Sequence, residues 1–457
     1  MEKDIEELIK GIPPIVDLPV KMDNANDIIE IYSGEFLLKN EKAEMLIDGK
    51  IEYQWFPQKG AIFTGALISE TESTLKSENA LDEYDLVIDG LTSGRTFITN
   101  RTLSLSSEKQ KIKGVFTKHA VFEDSSIGVD SITFAIPNLR SFLGSSVHKK
   151  FEKSVSWSRS RVQFENKEYK IVIDKTLDYK ERLENLNTKG GYLLLYSGML
   201  TKKTGNLSLE KSREIFHCFD TFITFLNGRR VSTAFHTGIY EKNKIWSDFS
   251  NYSLDIHKSS TSWTLTHSTE GLNELFKKFS SLWKDENDRN FLISAIHWYI
   301  EANNNSGYTE GSIIMAQTAL ELIYNWLLIE KIGLLVGKDS ESINAANKIR
   351  LLLSHLKIDY SVPEAFNELK ELVGSNSDYV DAPSVVVQIR NAIVHSQIEK
   401  RNKITALSLQ TKYQAQQLCI WYIEMSLLYI LDYKGKYYNR CSKELYPKKR
   451  EIDVPWI

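Results

Sequence analysis

Cysteine is scarce in this chain: Cys218, Cys419 and Cys441 are the 3 among 457 residues. No two of them form a C-x-x-C pair, which argues against a thiolate zinc site and against a disulfide framework. The chain reads as one kept in a reducing compartment. An excess of one charge is also missing, since 57 basic residues face 60 acidic ones and the net charge is −3. That excludes a globally basic nucleic-acid coat while leaving room for a local basic patch. Long apolar runs are absent: no stretch of about 18 uncharged apolar residues occurs. The longest near the end, Leu418 to Leu431, is interrupted by Glu424. The start, Met1-Glu2-Lys3-Asp4, is acidic where a secretory signal needs a basic region and an apolar one. The expectation is a cytoplasmic protein with no membrane span. Internal repeats and low-complexity tracts are lacking as well. A hydrophobic share of 42% and a charged share of 26% are ordinary for a globular chain. At roughly 100–200 residues per domain, two to four folding units fit the length.

The patterning changes near residue 270. Before it, short runs alternate apolar and polar side chains, as in residues 34–38, 51–56, 61–68, 84–89 and 170–174. Asp48-Gly49 and Asp89-Gly90 both read as hairpin turns, because an Asp-Gly pair accepts positive φ at low cost. Aromatic and β-branched residues fill these runs, as a half-buried pleated surface favours. Frequent turns between short strands suggest an antiparallel sandwich or barrel. One helix, over 207–226, interrupts the strands, with Ser208 as its N-cap and Asn227-Gly228 as its stop.

After 270 the period is helical, with helices expected over 271–284, 288–304, 309–331, 342–356, 363–374, 382–397 and 405–433. Leu320, Ile323, Tyr324 and Leu327 make one apolar stripe. Short connections between long amphipathic helices favour a bundle. The expected fold class is α+β: an N-terminal extension (1–24), a β-rich, sandwich-like domain (25–270), a linker helix (271–284) and an all-α domain (285–457) with a basic tail.

One segment combines chemistry with an apolar helix. Asp381-Ala382-Pro383 opens it, with Asp a good N-cap and Pro tolerated in the first turn. Val385, Val386, Val387 and Ile389 point inward, and among them stand Arg390, Asn391 and His395. On a helix, Asn391 and His395 share a face as an i, i+4 pair with Arg390 beside it. An arginine, an amide and an imidazole on an apolar helix carry a desolvation cost unless satisfied. The bland alternative is a surface ion pair or a satisfied core contact.

The Arg390-Asn391-x-x-x-His395 run, late in an all-helical module, resembles the R-x4–6-H signature of the HEPN superfamily. Residues 32–37 and 222–231, Ala319-Leu320-Glu321 and the closing Asp453-Val454-Pro455-Trp456 are similar to the ApeA-like branch of bacterial abortive-infection proteins. The resemblance implies a HEPN bundle after a β-rich domain, and metal-independent RNA cleavage by 2′-OH attack that leaves 2′,3′-cyclic phosphate ends. It implies His395 as general base or acid, Arg390 holding the phosphate, and Asn391 positioning either. It also implies a homodimer, RNA (with tRNA a candidate) as substrate, a phage-derived trigger, and no cofactor. Glu321 is expected as a polar partner of Arg390. The alternative is a HEPN module that has lost cleavage and only dimerises or binds a partner.

Other segments stay open. Lys400, Arg401 and Lys403, just past the motif, either extend a phosphate track on RNA or line an exposed helix end. The tail from Tyr433 to Arg450 interleaves basic and aromatic residues; it suits base stacking, or packs its tyrosines on the bundle. The histidines lack H-E-x-x-H spacing, so no metal is expected. No Walker pattern or G-x-S-x-G elbow occurs.

Overall fold

Strict alternation in the first third of the chain builds a closed surface. A computed structural model describes residues 9–70, 82–103, 110–152, 154–265, 267–304, 308–375, 377–395 and 397–457, with the side chains of Asp339, Lys400, Arg401 and Lys403 also outside the description. The chain forms two units, Met1–Asp220 with Val231–Lys258, and Thr221–Arg230 with Ser259–Ile457. The boundary expected near 270 therefore falls at 258/259. The expected linker helix over 271–284 belongs to the second unit.

The first unit is β-rich. Strands β1 (Ile29–Lys39), β2 (Glu44–Gln54), β3 (Gly60–Glu70), β4 (Glu83–Ile88), β5 (Leu91–Leu103) and β6 (Gln110–Phe116) close a barrel in the order β1-β2-β3-β6-β5-β4. Phe36, Leu38, Met45, Ile47, Ile51 and Phe63 are buried along it. Of the two forms the short strands suggested, sandwich or barrel, the barrel is the one found here, in place of the sandwich-like domain. Asp89 (φ 48°) and Gly90 (φ 81°) make the expected hairpin turn. Asp48-Gly49 does not: it lies inside β2, with Gly49 opposite Gly65. A Cβ on Gly49 would stand 2.2 Å from the Thr64 carbonyl oxygen, so this glycine serves close backbone approach, not a turn.

Strands β7 (Val121–Glu123), β8 (Ser131–Pro137), β9 (Ser145–Lys150), β10 (Val155–Glu165), β11 (Tyr169–Lys175), β12 (Leu194–Lys202), β13 (Ala234–Tyr240) and β14 (Asn243–Asp248) form an eight-stranded sheet in the order β7-β14-β13-β8-β12-β11-β10-β9. Two helices occur here, where one was expected: α1 (Tyr179–Lys189) and α2 (Leu209–Asn227). The first has one buried residue, Leu186, and so lacks a readable apolar stripe. Phe216 and Phe219 of α2 pack edge-on against Phe134 and Phe164 of the sheet, with centroids 5.2 and 5.4 Å apart. Edge-to-face pairs of this kind add to the burial energy of the rings.

The second unit is helical: α3 (Leu272–Leu282), α4 (Glu286–Asn303), α5 (Tyr308–Tyr324), α6 (Ala345–His355), α7 (Asn367–Leu372), α8 (Ala382–Val394), α9 (Ile398–Ala406) and α10 (Leu409–Ile430), with a π-helical continuation of α5 over Asn325–Lys331. The helix expected over 405–433 is α10, and α9 before it was not expected. Ser408 caps α10, its side chain accepting from the Thr411 N–H. Helix α10 runs through the core, burying Leu418, Cys419, Ile420, Tyr422 and Ile423. The tail closes with a short antiparallel pair, Lys436–Tyr438 and Glu451–Asp453. Among the described residues one stretch, Tyr308–Lys331, is long and apolar enough to cross a membrane by length and composition alone. In its most apolar window 61% is buried inside the unit, as for a core helix.

Candidate functional site

Helix α8 is fixed at its start by local chemistry. Asp381 accepts from the Ser384 N–H at 2.9 Å, and the Ser384 hydroxyl accepts from the Asp381 N–H at 2.8 Å, a reciprocal capping box. Arg350 of α6 donates to both Asp381 carboxylate oxygens, at 2.5 and 2.8 Å. Burial raises the Asp381 pKa, but the Arg350 hydrogen bond and the cap lower it further, so the net shift is downward. Val385, Val386 and Ile389 are buried. Gln317 of α5 donates to the Val386 carbonyl at 2.6 Å, which pins α5 to α8 one turn before Arg390.

Arg390 is half-buried and donates to the Asn391 side-chain oxygen at 3.2 Å. Among the described residues it has no carboxylate partner. Three other arginines of the unit are paired with carboxylates: Arg350 with Asp381, Arg440 with Glu424, Arg230 with Glu301. A half-buried guanidinium without a carboxylate leaves an uncompensated positive field, which an anion satisfies.

His395 is the C-cap of α8, which ends at Val394 rather than 397. Its backbone N–H donates to the Asn391 carbonyl at 3.0 Å, and its own φ of −90° and ψ of 103° turn the chain away. The side chain is exposed and has no hydrogen-bond partner among the described residues. The apolar stripe has run out by Val394, 42% exposed, so no packing prolongs the helix. The structure therefore bonds Arg390 to Asn391 and leaves the His395 side chain exposed on the turn into α9.

Glu321 is exposed on α5 and makes no ion pair with Arg390 among the described residues. The two charges meet instead at Tyr324. Burial pushes its hydroxyl up to about 12; Glu321 adds to the rise and Arg390 opposes it. Lys348 of α6 stands 5.0 Å from the centre of the same ring. Tyr324 belongs to the stripe expected to be core, and its ring is; only its hydroxyl reaches this cluster. No sequence signal marked Lys348.

Lys400, Arg401 and Lys403 fall on α9, but their side chains lie outside the described residues. Part of the tail packs on the bundle, while Lys434, Lys436, Lys448 and Tyr446 stay exposed. Tyr433 and Tyr437 are buried, Arg440 is buried against Glu424, and Lys443 and Lys449 sit by Glu364 and Glu444. Among the described residues no three His, Cys, Asp or Glu side chains are gathered closely enough to hold a metal ion.

Two stretches match described domains. Residues 285–451 match the YopA C-terminal domain, and residues 124–260 match the YopA central domain. The first begins at Asp285, the N-cap of α4, and contains Arg390, Asn391 and His395. The second holds strands β8 to β14 of the eight-stranded sheet. The chain is similar to the SPbeta prophage-derived uncharacterized protein YopA of Bacillus subtilis (strain 168). The two are 26% identical over 440 residues, which span 94% of this chain and 95% of that protein. No solved structure matches.

Proposed function

We propose that the helical unit is a HEPN-type, metal-independent endoribonuclease of a cytoplasmic, ApeA-like anti-phage protein. The observation that carries this reading is Arg390: half-buried, braced by Asn391, and without a carboxylate among the described residues. Such a guanidinium suits the non-bridging oxygens of a phosphate, where it offsets the charge that builds in a phosphorane. His395 takes the 2′-OH proton, O2′ bonds to phosphorus, and the P–O5′ bond breaks. The departing O5′ gains a proton, giving a 2′,3′-cyclic phosphate and a 5′-OH end.

The reading takes the protein as a homodimer in which the motifs of two copies meet, so that the imidazole of one copy serves the guanidinium of the other. The β-rich unit is the sensor of a phage-derived trigger, restraining the nuclease until infection, and tRNA is the favoured target. The prophage origin of the similar protein supports a role in competition between phages.

The test compares wild type with Arg390→Ala and His395→Ala for phage protection and for RNA ends in infected cells. Positioned acid–base catalysis and one charge-stabilising donor are each worth about 10²–10⁴-fold, so both variants lose cleavage by at least about a hundredfold. Protection and cleavage at wild-type level in both variants overturn the reading. A second reading, a non-cleaving HEPN module that dimerises or binds a partner, is favoured by the partnerless, exposed His395. A protective dimer that yields no cyclic-phosphate ends would establish it.

A further inference from the structure

Three helices bring a second cation to the candidate site. Gln317 and Tyr324 lie two turns apart on α5, and Val386 and Arg390 one turn apart on α8. The Gln317–Val386 hydrogen bond, 2.6 Å long, sets the register that carries Tyr324 toward Arg390. The Arg390 charge acts on the Tyr324 hydroxyl. From the third helix, α6, Lys348 reaches over the same ring, its ammonium 5.0 Å from the centroid. Two residues further along α6, Arg350 is taken up by Asp381, but among the described residues Lys348 has no carboxylate partner. The Tyr324 hydroxyl likewise has no hydrogen-bond partner among the described residues, and at neutral pH it keeps its proton and is a donor, as a tyrosine of ordinary pKa also would. Two unneutralised cations and one free donor thus border a single tyrosine.

We infer that Lys348 and the Tyr324 hydroxyl form a second phosphate-binding position beside Arg390, taking the backbone phosphate next to the one Arg390 holds. The inference rests on the ribonuclease reading and deepens it by assigning residues that position the strand. Arg390 engages the reacting phosphate; Lys348 sets where along the strand that phosphate falls. A compact ammonium on a flexible stem suits this task, being insensitive to base identity.

The experiment uses the full chain carrying His395→Ala, which binds without cutting, and a fluorescent single-stranded RNA of mixed sequence. Affinity is read by anisotropy across a salt series. Lys348→Met keeps the aliphatic stem over the ring and removes the charge. It is expected to weaken binding by roughly 5- to 10-fold and to make the log–log salt slope shallower by about 0.7, the share of one single-strand phosphate. Lys348→Arg restores both, and Tyr324→Phe weakens binding with little change in slope. A thermal midpoint equal to the parent's certifies the fold of each variant. If Lys348→Met binds as the parent does while Arg390→Ala weakens binding, the second position is refuted and the nuclease reading stands. If neither variant alters binding, or the parent does not bind RNA at all, both fall together.

Discussion

Replacing Arg440 with methionine takes away the positive charge bonded to the fully buried Glu424 carboxylate of the helical unit. Glu424 is fully buried on α10, and the Arg440 side chain is 2% exposed. Nε donates to one carboxylate oxygen at 2.9 Å and Nη2 to the other at 2.5 Å, while the Tyr299 hydroxyl adds a third donor at 2.8 Å. The remaining guanidinium nitrogen donates to Gln417 at 2.9 Å and Asn303 at 3.2 Å, tying the tail to α10 and α4. Burial alone would lower the Arg440 pKa; the Glu424 charge overrides it, and the net shift is upward. Without Arg440 the carboxylate keeps one hydroxyl donor in an apolar surround, and breaking a buried pair from one side costs about 3–5 kcal/mol.

Two buried thiols of the same unit report this loss, Cys419 on α10 and Cys441 next to Arg440. Under conditions where labelling follows the population of opened molecules, 3–5 kcal/mol corresponds to labelling about a hundredfold to several thousandfold faster. Cys218, in the other unit, is the reference. Adding Glu424→Leu removes the stranded charge and recovers most of the loss. A rise in Cys419 labelling below tenfold, or no recovery in the double variant, refutes the reasoning.

Asp381→Ala removes the capping box and the Arg350 pair together, so α8 loses about 1–2 kcal/mol from the cap alone. Hydrogen exchange at the first turn of α8 should accelerate accordingly, and unchanged protection there counts against the cap. In the β-rich unit, His236 is buried against Phe216, with ring centroids 4.1 Å apart. Burial pushes its pKa down from 6.5 to about 4, opposed by Asp248 and aided by Arg213. Between those values the unfolded chain binds a proton that the folded chain refuses, so stability falls as pH drops through that window, by roughly 3 kcal/mol in all. Urea titrations of His236→Gln between pH 7 and 4 should lose that part of the acid slope. An identical slope in variant and parent would show that the ring is charged in the fold.

The sequence by itself determined whatever depends on neighbours a few residues apart. Asp381, Pro383 and Ser384 announce where α8 begins, because capping acts over three residues. Asp89-Gly90 announces a turn, because positive φ is a property of the residues that adopt it. The alternation before 270 and the helical period after it announced an α+β chain with its strands first, since each period buries one face. Asp48-Gly49 carries the same dipeptide, yet it lies within a strand. Only the closing barrel decides that, by setting Gly49 against Gly65. The tertiary structure alone ended α8 before His395, where no packing remained to extend it. It alone placed Lys348 over Tyr324 and sank Arg440 onto Glu424, 16 residues away in the chain. Contacts of that range depend on how helices pack, and no local propensity encodes which charges such packing will pair and which it will leave free.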